Sequence, residues 1–142
     1  MKRLTCIILI SVFCLGAVAL ADDEEEKAAI EKALTDFYYG GQRQGDADLL
    51  RQIFHPDWML FSVNNGELVK FDLDTYCGFA NPQRAAQLTW DWEIYYVDVT
   101  GHAASAKVRL ENDNVTFIDY FNMLKLDGKW WIVHKISYGT PK

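Results

Sequence analysis

The stretch FIDYFNMLKLDGKWWIVHKIS, Phe117 to Ser137, decides the fold of this chain. It reads as two strands joined at Asp127-Gly128, a dipeptide that tolerates the positive φ angles of a two-residue hairpin turn. Successive side chains on a strand point to opposite faces, so Trp130 and Trp131 cannot enter one core. With a tight turn, Lys125 faces Trp130, Met123 faces Ile132, Phe121 faces His134, and Asp119 lies beside Ile136. These share one face. Leu124, Trp131, Asn122, Val133, Tyr120 and Lys135 share the other. A glycine bulge in place of the tight turn would shift the pairing by one residue and mix the two sets.

Outward from this hairpin, strands fill the C-terminal half. Ala104, Ala106, Val108 and Leu110 alternate with Lys107, Arg109 and Glu111. Leu88, Trp90, Trp92, Ile94 and Tyr96 alternate with Thr89, Asp91 and Glu93, the pattern of a long half-buried strand. Trp58–Val63 and Glu67–Phe71 flank Asn64-Asn65-Gly66, a second hairpin signal. The N-terminal part is helical instead. Ile30, Ala33, Leu34, Phe37 and Tyr38 have amphipathic spacing, and Gly40-Gly41 is the expected stop. Asp46 can cap a second helix with Leu49, Leu50 and Ile53 inside, stopped by Pro56 near Phe54. A short third helix can start at Asp72 or Asp74 and end before Pro82. His55-Pro56-Asp57 reads as a helix end and loop. Helices segregated from antiparallel strands predict an α+β domain, with helices packed on one face of a curved sheet.

The chain has 142 residues, half of them hydrophobic, and a formal net charge of −6. That suits one domain with a real core. It disfavours nucleic acid, because an acidic surface repels phosphates and no basic stripe is present. Lys2 and Arg3, the apolar run Leu4–Leu15 and Ala19-Leu20-Ala21 form the pattern of a cleavable leader. The expected division is a signal peptide at 1–21 and one domain at 22–142, secreted or periplasmic, without stable membrane insertion after cleavage. A retained anchor is the competing reading. Cys6 and Cys14 would leave with the leader. Cys77 then stands alone, on one helical face with Leu73, Tyr76 and Ala80, as a small buried hydrophobe and not a reactive thiol.

"GDADLLRQIFHPDWML", "HAASAKVRL" and "DYFNMLKLDGKWWIVHK" resemble the nuclear transport factor 2-like superfamily, and within it the small secreted bacterial members described as "putative lumazine-binding". The resemblance spans about Glu26 to Tyr138. It implies a cone, or cystatin-like roll: a strongly bent sheet wrapped around helices, with a pocket between them. In many relatives the convex face pairs with a second subunit. Here that implies a homodimer through Tyr120, Leu124, Trp131 and Val133. The fold hosts enzymes and non-catalytic binders alike, so it does not by itself name an activity.

Ketosteroid isomerase, a member of that superfamily, gives the sharpest comparison. It holds a substrate oxygen between a tyrosine and a protonated aspartate, and a second aspartate is the base. Ile118-Asp119-Tyr120-Phe121 is similar to its motif around the protonated aspartate. Tyr38 precedes Gly45-Asp46 by the same seven residues as its tyrosine precedes a Gly-Asp pair. The resemblance therefore implies Tyr38 and Asp119 as oxygen donors. The base position falls near Ser62, which cannot abstract a proton from carbon unaided. His134, placed on the face of Asp119, is the candidate replacement base.

Trp58, Leu60 and Ser62 would face the pocket together, and Trp92 and Phe121 would offer rings to a flat ligand. His55, His102 and His134 lack metal-ligand spacing, so no metal and no cofactor is expected. The leading expectation is an exported pocket protein for a small, partly apolar molecule, with Tyr38, Trp58, Ser62, Trp92, Asp119, Phe121 and His134 around it. One rival is an isomerase, cyclase or dehydratase using Tyr38, Asp119 and His134. The other is a protein–protein interaction module with a filled cone.

Overall fold

The computed structural model of the chain describes residues 13–142, with side chains from Asp23 onward. The predicted leader lies outside the described residues up to position 12, and its side chains lie outside them throughout. The element order is α1 (Phe13–Ala33), a π-helical segment (Leu34–Tyr39), α2 (Gly40–Gln44), α3 (Ala47–Arg51), β1 (Phe54–Asn64), β2 (Glu67–Asp72), α4 (Leu73–Cys77), α5 (Pro82–Ala85), β3 (Asp91–Thr100), β4 (Ala103–Glu111), β5 (Val115–Leu126) and β6 (Lys129–Pro141). Six strands form one sheet in the order β2-β1-β6-β5-β4-β3. All neighbours are antiparallel except β1 and β6, which run parallel. This is the expected α+β architecture. Among the described residues, no helix is long and apolar enough to cross a membrane.

The first helix does not stop at Gly40-Gly41. Gly40 keeps right-handed helical angles, and the chain continues to Gln44. Gly41 is required for packing: a Cβ there would lie 2.7 Å from the Leu50 side chain. The true stop is Gly45, at φ 61, a left-handed conformation that favours glycine. Asp46 then caps α3, as its position predicts, by accepting from the amides of Asp48 and Leu49 at 2.8 and 3.1 Å. Ile30, Leu34 and Tyr38 follow one helical face and are fully buried. They pack against Val108, Phe121, Met123 and Ile132 from the sheet, in one cluster. Each such side chain contributes roughly 1.5–3 kcal/mol of burial.

Both predicted hairpin turns form. Asn65 and Gly66 have φ 50 and 82, and Asp127 and Gly128 have φ 50 and 76, as two-residue type I′ turns require. Pro56 does not end a helix. His55-Pro56-Asp57 lies within β1, where pairing with β6 is irregular between Phe54 and Met59, and proline is tolerated where the ladder asks for no N–H. In place of the single third helix there are two short ones, capped by Asp72 and Asn81. Cys77 is buried in α4, and burial pushes its thiol pKa up, which suits a core residue.

The sheet bends at bulges, and these overturn part of the predicted facing. In β3 the register slips between Ile94 and Tyr96, so Tyr96 leaves the face of Trp92 and Ile94 and is exposed. In β6, Met123 pairs with Ile132, but Asn122 pairs with His134. Val133 is the extra residue. Beyond it every side chain changes face relative to a regular ladder. Lys135 enters the interior opposite Phe121, and Ser137 lies beside Asp119. His134 and Ile136, both expected inside, are on the outer face.

Helix α1 is tied to the hairpin tip. The Glu26 carboxylate pairs with Lys125 and accepts from Trp130 Nε1 at 2.5 Å. The bonds from Lys125 and Trp130 hold the Glu26 pKa below its ordinary value of 4.5. A lowered carboxyl pKa contributes stability above the unfolded value, and loses it as pH falls through the folded one. Glu26→Gln should therefore cost about 1–2 kcal/mol at about pH 7 and clearly less at about pH 3. Urea midpoints at both pH values measure this; an equal cost at both would mean that the charge contributes nothing.

Candidate functional site

Between the helices and the inner face of the sheet lies a cavity of about 470 Å³. Apolar side chains form most of its wall, among them Leu50, Leu60, Phe71, Leu88, Trp90, Leu110 and Phe117. A polar cluster closes one end. Lys135 Nζ lies 3.0 Å from Asp119 Oδ2, 3.0 Å from the Tyr38 hydroxyl and 3.2 Å from the Tyr76 hydroxyl. Tyr38 donates to Asp119 Oδ2, and Ser137 donates to Asp119 Oδ1 at 2.6 Å. Ser62 donates to the Ser137 carbonyl at 2.8 Å, and Gln42 Nε2 donates to the Tyr76 hydroxyl at 2.7 Å. Tyr38 and Asp119 are fully buried, and Lys135 is 3% exposed.

Tyr38, Tyr76, Lys135 and Asp119 come to this cluster from four elements, Asp119 from β5. The π-helical segment widens the helix at Tyr38, a deviation that often accompanies functional positions. Helix α4 supplies Tyr76, and the bulged β6 supplies Lys135 and Ser137. Burial alone would pull the Lys135 pKa down, but Asp119 and Tyr76 outweigh it and the net direction is up. Lys135 is thus held as an ammonium. Tyr38 goes the other way from reactivity: burial first, then the charge of Asp119, raises its pKa well above the ordinary phenol value, so it stays a neutral hydroxyl.

The direction of these bonds corrects the implied oxygen grip. Asp119 accepts from Tyr38, Lys135 and Ser137, so it is placed as a carboxylate acceptor and not as a neutral donor. The Tyr38 proton is spent on Asp119. The hydroxyl left with a free proton is that of Tyr76, whose oxygen accepts from Lys135 and Gln42. It faces the cavity with an ammonium behind it, in a chain of bonds that polarise one another.

Of the residues expected around the ligand, Tyr38 and Ser62 line the cavity. Asp119 stands one layer behind, beneath Tyr38, Lys135 and Ser137. Phe121 also lies behind the wall, edge-on to Tyr38 at 4.9 Å. Trp58 and Trp92 do not line it. Trp58 is fully buried against Phe54 and Tyr76, and its indole nitrogen has no hydrogen-bond partner among the described residues. Trp92 stacks on Tyr39 at 5.3 Å. His134 is on the far side of the sheet, 5.0 Å from the Phe61 ring and 3.5 Å from Asn122. It cannot reach Asp119 through the sheet.

Sequence reasoning missed Lys135, Ser137 and Tyr76. Lys135 and Ser137 follow a bulge that leaves no mark in the residue pattern. Tyr76 shares a helical face with Leu73 and Cys77, and nothing in that pattern marks its hydroxyl as a cavity group. Among the described residues, no group of three His, Cys, Asp or Glu side chains could hold a metal ion.

A helix-filled, bulged sheet with a cavity at its heart defines a nuclear transport factor 2-like, ligand-binding type of fold. Residues 25–138 match the family described as "Putative lumazine-binding", and the chain belongs to that family. A nuclear transport factor 2-like protein from Shewanella baltica is similar at 26% identity and a TM-score of 0.70, over 81% of this chain and 94% of that one. Another, from Methylobacillus flagellatus, is 29% identical with a TM-score of 0.70, over 80% and 90% of the two chains. A "putative ketosteroid isomerase" from Shewanella frigidimarina shares the fold, at 15% identity and a TM-score of 0.56, over 74% of this chain and 91% of that one. A protein from Cladobotryum sp named aldolase FrzH is 22% identical over 106 residues, covering 74% of this chain and 85% of its own.

Proposed function

We propose that this is an exported protein that binds, without turning over, a small, partly apolar molecule in its central cavity. The observation that carries the reading is a cavity of about 470 Å³, apolar along its walls and closed by the Lys135–Tyr76–Tyr38 cluster. That volume is in the usual range for small-molecule sites. The leader pattern in the first 21 residues supports export. The open cavity weighs against the interaction-module reading, which needs a filled cone.

The enzymatic rival is the weaker one. An isomerase, cyclase or dehydratase built on Tyr38, Asp119 and His134 needs a base in the cavity, and His134 is outside it. Aldol chemistry through an amine needs a lysine free to attack a carbonyl. Lys135 instead points its protons at Asp119, Tyr38 and Tyr76 and is held as an ammonium. Holding an oxygen-bearing molecule requires neither.

Native mass spectrometry of protein purified from its native host tests this. Protein carrying one small molecule per subunit is the expected result. A cavity that is empty there, and that takes up no apolar probe at millimolar concentration, would refute the reading.

We further propose a symmetric homodimer through the outer sheet face. Leu124 faces Trp131, Tyr120 faces Ile136 and Ile118 faces Tyr138, apolar pairs next to Val133 that are interrupted on this face by the Asn122–His134 pair. Tyr120, Leu124, Ile136 and Tyr138 are 42%, 39%, 51% and 67% exposed in the single chain. Apolar surfaces of this kind usually mark an interface.

A further inference from the structure

We propose that the molecule held in this cavity is an apolar acid, whose anionic group lies at the mouth against Arg84 and Asn112. This rests on the binding reading above and names the ligand class. The first observation is charge. The chain has 20 acidic and 14 basic residues, yet the cavity lining contains Arg84 and Lys135 and no aspartate or glutamate. The Lys135 charge is balanced from behind by Asp119. The Arg84 charge is not balanced: among the described residues no carboxylate pairs with it, and its guanidinium reaches only the Phe79 carbonyl, at 3.3 Å. Arg84 is exposed, which puts it at the open end.

The second observation is the direction of the free hydrogen-bonding groups. Asn112 is 6% exposed and lines the cavity. Its Oδ1 accepts from the amides of Asn114 and Val115 at 2.9 and 3.2 Å. A backbone amide can only donate, so that end of the side chain is the oxygen and Nδ2 is left to donate. Asn81 is fixed in the same way, its Oδ1 accepting from the Arg84 amide at 2.8 Å. Tyr76 keeps one proton of its own. Donors and a positive charge thus dominate the unspent polar groups, and they match an electron-rich, anionic partner. A cationic ligand would find no carboxylate to pair with, and a neutral one would leave Arg84 unused.

The test compares a naphthoate anion with neutral naphthylmethanol of nearly the same shape, by calorimetric titration of the full domain and its Arg84→Gln variant. Naphthoate is expected to bind about three- to tenfold more tightly, the range of an exposed charge contact. The preference should disappear in Arg84→Gln and shrink as salt is raised. Equal binding of the two probes, or a preference unchanged by both the substitution and salt, would overturn the anion claim while leaving the cavity reading intact. Binding of neither probe at millimolar concentration would remove both.

Discussion

Lys135→Met is expected to lower the unfolding free energy by about 3–5 kcal/mol, the cost of stranding a buried charge. The substitution keeps much of the volume and removes the one cation that touches Asp119 among the described residues. Asp119 is fully buried, and without Lys135 its carboxylate would keep only the hydroxyls of Tyr38 and Ser137. Asp119→Leu alone should also cost several kcal/mol, because it strands the ammonium. The double variant should recover most of the loss, since a buried ion pair replaced by apolar groups of similar size is often nearly neutral. Urea unfolding of the four proteins measures the coupling. Additive costs would mean that the 3.0 Å contact does not hold the pair together.

The second large effect is on assembly. At tens of micromolar the chain should sediment as a dimer, and Leu124→Glu should weaken it by more than about 10²-fold, as loss of a central apolar contact does. Leu124 is preferable to Trp131 as the probe. The Trp131 ring is packed within its own chain by Lys129, at 3.6 Å, and by His55. Across a two-fold axis the same charge enters the interface twice, so one substitution acts on both copies. Glu31→Lys is the control: Glu31 is exposed on helix α1, on the other side of the sheet from this face, and its substitution should leave the dimer intact. A monomer in the unmodified protein, or a dimer that withstands Leu124→Glu, rules the interface out.

Much of the fold was legible because hairpin turns and apolar alternation act locally. Asp127-Gly128 and Asn65-Gly66 announce their own backbone angles, and the strand of Ala104, Ala106, Val108 and Leu110 faces inward as its period requires. Asp119 and Tyr38 were brought together by motif spacing, and they do meet. What was not legible is non-local. Whether Gly40-Gly41 ends a helix depends on Leu50, which packs against Gly41 from another element. Which of His134 and Lys135 enters the core depends on one unpaired residue, Val133. The local pattern at that point is a valine between an isoleucine and a histidine, and nothing in it signals a change of face. Arg84 and Asn112 were invisible for a simpler reason: one belongs to the short helix α5 and the other to the β4–β5 connection, and only the fold brings both to the wall of one cavity.

The extra residue in β6 also bears on how relatives of this chain are to be aligned. Because Val133 and His134 together oppose Asn122, a shorter homologue that lacks one of them would place its lysine in the same interior position with a regular ladder. A homologue of equal length with no bulge would present a histidine there. Gap placement within this single strand therefore separates chains with an ammonium against Asp119 from chains with an imidazole. Two sequences identical through Ile132-Val133-His134-Lys135 can still differ in which of the two bases they keep inside.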